Sequence, residues 1–87
     1  MTPRAKLRDA ILDMTRERGP SKTICPSDAA RAVGGQDWRG LMDDARDVAR
    51  ELAKAGDVEI TQKGNALDPD AAWRGPIRIR TLRDDIE

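Results

Sequence analysis

Three observations predict a mainly α domain closed by a small β-hairpin. Apolar residues recur at helical spacing in two stretches, Leu7-Ile11-Met14 and Leu41-Ala45-Val48-Leu52. Between them, Gly34-Gly35 separates a short helix from the second stretch, with the length and glycine content of a helix-turn-helix connection. After Gly56 the period changes to alternation, with Val58 and Ile60 opposing Glu59 and Thr61, and Ile77 and Ile79 opposing Arg78 and Arg80. Together these predict a winged helix-turn-helix: three helices and a two- or three-stranded wing.

The first helix is expected over 4–18, with Ala10 and Leu12 widening its apolar stripe. Arg16 and Arg18 suit its C-terminal dipole, and Gly19-Pro20 stops it. Thr23-Ile24 reads as a short extended segment. Pro26 suits the first position of a second helix over 26–33, with Cys25 at its N-cap, Asp28 in its first turn, and Ala29, Ala30 and Val33 on its buried side. Asp37 is a good N-cap for a third helix over 38–55, closed by Gly56. A third helix broken at Gly40 would overturn this reading. The hairpin is expected near 57–61 and 77–81, joined by a loop from Gln62 to Gly75. Pro76 is tolerated at a strand start.

The 87 residues suit one domain, with 82–87 as an acidic tail. Sixteen Lys and Arg balance sixteen Asp and Glu, and a pI near 6.3 sits well below the value above about 9 usual for a strong polyanion binder. The balance is uneven: residues 1–35 carry seven cations and four acids. With no histidine and one cysteine, Ser-His and Cys-His nucleophile pairs, imidazole ligands, an internal disulfide and a multi-cysteine metal site are excluded. The adjacent carboxylates Asp43-Asp44 diverge by about 100° on a helix and do not converge on a metal. No glycine-rich phosphate loop is present. The expectation is no enzyme, no cofactor and no metal. No signal-like apolar N-terminus or membrane-length run occurs, so a cytoplasmic chain without membrane contact is expected.

The blocks "TICPSDAARAV", "WRGLM", "ITQKG" and "GPIRIR" resemble, in this order, a family of small bacterial domains of unknown function, the one numbered 3253. The resemblance covers nearly the whole chain. It implies a winged helix and carries no established activity.

The leading functional expectation is binding of double-stranded DNA through the third helix and the wing. Gln36, Arg39, Arg46 and Arg50 can share an outward helix face, where arginine near a helix start reaches guanine edges. Lys63 and Arg74 in the flanking loop are candidates for phosphate contact. Asp43, Asp44 and Asp47 on the same helix weigh the other way. By spacing, Asp43–Arg46 and Asp47–Arg50 form favourable i,i+3 pairs, and charge logic alone favours a self-paired, solvated face. On the strand face, Glu59 is expected to pair with Arg78 or Arg80. The alternative is a protein–protein adaptor, which suits the neutral net charge better; oligomeric state is left open. Trp38 and Trp73 are read as core-packing rather than base-stacking residues, because so small a core can hardly forgo its largest side chains. Cys25 is read as a small, half-buried residue rather than a redox centre.

Overall fold

The computed structural model describes residues 2–82. Its helices are α1 (Pro3–Arg18), α2 (Pro26–Gly34) and α3 (Met42–Lys54), and its strands are β1 (Val58–Gln62), β2 (Asn65–Ala66) and β3 (Arg78–Thr81). The strands form one antiparallel sheet in the order β2-β1-β3. Ile24 adds a single bridge on the outer side of β3, exchanging two 2.8 Å backbone hydrogen bonds with Ile79. The fold is therefore mixed α/β, with helices packed on a small three-stranded sheet. Of the expected acidic tail, only Leu82 lies within the described residues, and it is 48% exposed. No described helix is long and apolar enough to cross a membrane.

One cluster forms the core: Leu7 and Ile11 of α1, Ala29 and Ala30 of α2, Ala45, Val48, Ala49 and Leu52 of α3, with Ile24, Val58, Ile60, Ile77 and Ile79 from the sheet side. Alanines at the helix crossings let the backbones approach closely, so aliphatic residues fill the centre without aromatics. Thr15 is also fully buried, and its hydroxyl donates to the Ile11 carbonyl at 2.7 Å. That bond removes the cost of a buried hydroxyl.

The local punctuation acts as the sequence predicts at α1 and α2. Thr2 caps α1 by accepting from the Ala5 amide, and Gly19 ends it at φ +83°. Cys25 occupies the N-cap of α2, and Asp28 reaches back to accept from the Cys25 amide at 2.9 Å.

Two expectations need correction. The third helix does not begin at 38: residues Gly35–Leu41 wind as a 3-10 segment, and α3 starts at Met42. The transition falls at Leu41 (φ −99°, ψ 0°), one residue beyond Gly40. Asp37 is not an N-cap but a kinked residue inside that segment, and no side chain caps α3. Trp38 and Leu41 both pack against the core from this segment, and the three-residue 3-10 period places them on one side. The 62–75 stretch is not a plain loop either. Lys63 (φ +53°) and Gly64 (φ +84°) form a tight turn, and β2 pairs back onto β1. Two consecutive positive φ angles match the twist of an antiparallel pair.

Gly35 sets the exit from α2. Its φ of +56° with ψ of −125° lies in a region an L-residue enters only with strain. Gly35→Ala is expected to cost about 1–3 kcal/mol. A thermal melt should record it as a fall of roughly 4–8 °C per kcal/mol. An unchanged melt would show that the turn can rearrange without cost.

Candidate nucleic-acid interface

The outward side of α3 splits into an acidic edge and a basic edge, and each is occupied. On the acidic edge, Arg4 of α1 lies 3.3 Å from Asp44 and 3.7 Å from Asp47 and pairs with Glu51. The Glu51 hydrogen bond is the largest cause holding the Arg4 guanidinium above its ordinary pKa, with the charges of Glu51, Asp44 and Asp47 adding and desolvation opposing. A residue 40 positions away in sequence thus partners Asp44. The expected i,i+3 pairs within α3 do not form among the described residues.

On the basic edge, Arg46 and Arg50 turn to the loop between β2 and β3. Arg50 donates to the carbonyls of Pro69 and Ala71, the latter at 2.7 Å, and lies 4.1 Å over the Trp73 ring. Arg46 donates to the carbonyls of Gly75 at 3.2 Å and Trp73 at 3.4 Å. Trp73 in turn donates its indole N–H to the Asp68 carbonyl at 3.0 Å, and Lys54 pairs with Asp70 at 2.9 Å. A loop without a ladder of its own must find donors for its carbonyls, and a guanidinium with five N–H groups supplies several at once. The loop is laid along α3 rather than projecting from the sheet. Arg46 and Arg50, expected to face a groove, hold it there.

The remaining candidates are differently placed. Gln36 and Arg39 are exposed on the 3-10 segment. Arg39 stacks 4.7 Å from the Trp38 ring centre, and Arg31 of α2 lies 4.5 Å from the same ring. Lys63 is exposed at the β1–β2 turn. Arg74 is exposed in the loop, where its carbonyl accepts from the Gln62 side chain. On the sheet, Arg80 takes the expected Glu59 pairing at 2.7 Å. Arg78 instead donates to the Thr23 hydroxyl and to Cys25 Sγ, both at 2.8 Å, and to the Thr23 carbonyl at 3.3 Å. Both tryptophans are half-buried against the core, as expected.

A pattern emerges that linear spacing missed. Arg4, Lys54 and Arg80 have carboxylate partners, whereas Arg31, Arg39, Arg46, Arg50 and Arg78 have none among the described residues. Yet these five are held in place: Arg31 and Arg39 by an indole face, Arg46 and Arg78 by neutral oxygen and sulfur acceptors, and Arg50 by both an indole face and loop carbonyls. Arg31 and Arg78 carry no sequence signal for this role, because the partners that place them lie across turns and between layers. Lys6, Arg8, Arg16, Arg18 and Lys22 also lack ion pairs among the described residues, but their side chains are not held by neighbours in this way. Asp37 and Asp43 lie exposed near the 3-10 segment and moderate the local charge. No group of three or more His, Cys, Asp or Glu among the described residues could hold a metal.

This small mixed α/β domain with its arginine-rich edge belongs to a family described as a protein of unknown function (DUF3253), whose model matches residues 4–82. A search of curated proteins found no match for the chain.

Proposed function

We propose that this domain is a winged-helix DNA-binding module that acts by binding alone. The helix pair α2 and α3 with its 3-10 connection forms the helix-turn-helix, and the three-stranded sheet with its loop forms the wing. The observation that supports it is the set of arginines fixed in position without a carboxylate. Such groups repel one another until an anion arrives, and a phosphate backbone supplies one at each contact. Arg31 and Arg39 flank the turn that opens α3, with Gln36 beside them and Lys63 and Arg74 as outlying contacts. Arg50 contributes by fixing the loop, which Arg46 also helps to hold.

Titration of random duplex DNA at low salt tests this. Four neutralised phosphates should give a log–log salt slope of about −3 to −4, at ~−0.9 for each. Lys63→Ala should lower the slope by about one and weaken all sequences alike. Arg39→Ala should cost about 1–3 kcal/mol and relax sequence preference where it contacts a base. Binding that stays undetectable at low salt, or is unchanged when Arg31 and Arg39 are both removed, overturns the proposal. A second reading, a protein adaptor, is favoured by a groove of about 380 Å³ at the start of α1, where Pro3, Val33 and Leu41 lie beside the charged Lys6 and Asp37.

A further inference from the structure

A smaller cavity of about 190 Å³ lies where the first turn of α2, the start of α3 and the head of β3 meet, lined in part by Cys25, Ser27, Met42, Arg46 and Arg78. We infer that this cavity is a phosphate site, taking one tetrahedral oxyanion between the guanidiniums of Arg46 and Arg78. The oxyanion is either a backbone phosphate of a bound duplex or a free phosphate group. The first source rests on the DNA-binding reading above, and the second does not.

Two like charges line this cavity and no Asp or Glu does, while Pro26, Met42, Pro76 and Ile77 form the apolar part of its wall. Asp28, the acid closest in sequence on α2, is turned onto the Cys25 amide. Both guanidiniums are already oriented by neutral acceptors: Arg46 by the Gly75 and Trp73 carbonyls, Arg78 by Thr23 and Cys25. Their positions are therefore set before a ligand arrives, which removes an ordering cost from binding. Each arginine has five N–H donors, so those not engaged by these acceptors remain for an oxyanion. The fork geometry of a guanidinium matches two oxygens of one phosphate.

The end of α2 contributes little. Pro26 has no N–H, and the amides of Cys25 and Asp28 are taken by the Asp28 carboxylate and the Cys25 carbonyl. The arginines carry the site, with the Ser27 hydroxyl as a further donor at its wall. The volume is below the roughly 300 Å³ at which small-molecule pockets begin, so the cavity suits a single phosphate group rather than a whole nucleotide.

The test is a titration of the full chain with inorganic phosphate, followed by amide chemical shifts, with chloride at matched ionic strength as the control. Saturable shifts are expected at Ser27, Arg46, Ile77 and Arg78 and not with chloride. In the Arg46→Gln/Arg78→Gln double variant the affinity should fall by about tenfold or more, since each charged hydrogen bond contributes on that scale. Arg8→Gln, on the exposed side of α1, should leave it unchanged. Arg78→Gln alone carries the test if the double variant loses its dispersed spectrum, because Arg78 is exposed on β3. Absence of saturation beyond the chloride control, or equal affinity in a folded variant, overturns the site. Duplex titration of the same proteins separates the two readings. Phosphate binding without duplex binding keeps the cavity and removes the DNA reading. Duplex binding with no phosphate saturation and an unchanged salt slope in the variant keeps the DNA reading and removes the cavity.

Discussion

Ile79→Ala is expected to destabilise the fold by about 2–5 kcal/mol, the cost of truncating a fully buried aliphatic side chain. Ile79 is 0% exposed and lies in the outer strand β3, paired with Ile60 of β1 on one side and bridged to Ile24 on the other. The bridging hydrogen bonds are backbone bonds and survive the substitution, so the loss comes from the side chain and the cavity it leaves. A chain of 87 residues has roughly 4–13 kcal/mol of total stability, at about 0.05–0.15 kcal/mol per residue. One methyl-rich side chain can therefore consume a large part of it. Urea or thermal unfolding should show a fall in midpoint on the order of 10–30 °C. A loss below about 1 kcal/mol would mean that the core collapses to fill the gap, contrary to the rigid sheet-and-helix packing described.

Arg50→Ala is expected to release the loop from α3. The side chain donates to two loop carbonyls and covers the face of Trp73, and no other described residue replaces either contact. Hydrogen bonds to a charged donor and a cation–π contact together suggest a cost of about 1–3 kcal/mol, discounted toward the low end by partial exposure. The clearer readout is local. In a Trp38→Phe background, Trp73 emission should shift to the red, and proteolysis should begin within residues 68–76. Arg50→Lys should not restore the wild-type behaviour, because an ammonium lacks the planar fork that reaches two carbonyls and stacks on an indole. Unchanged emission and unchanged proteolysis in Arg50→Ala would show that the loop is held by Trp73 and Arg46 without it.

Residues four apart on a helix or two apart on a strand reveal their common face in the sequence itself. Leu7 and Ile11, the Ala45-Val48-Leu52 stripe, and the Val58/Ile60 and Ile77/Ile79 alternations were legible for that reason, and all these residues are buried. Gly19 and Pro26 marked an end and a start because φ restrictions act within one or two residues. Pairing of Glu59 with one of the two strand arginines followed from the alternation, and the antiparallel register selects Arg80. What local rules cannot reach is where a long, flexible side chain finds its partner. Arg4 crosses to Asp44, Arg46 and Arg50 turn to loop carbonyls, and Arg31 and Arg39 meet on Trp38 through a 3-10 turn that the Asp37 cap signal did not foretell. Those placements depend on the packing of α1 against α3, on the loop's unpaired carbonyls and on the core's demand for Trp38 and Leu41. The sequence by itself determined the buried faces, because periodicity is a property of neighbours. Only the tertiary structure decided which arginines pair with carboxylates and which are held by neutral acceptors or indole faces, because hydrogen bonds and ion pairs form between groups far apart along the chain.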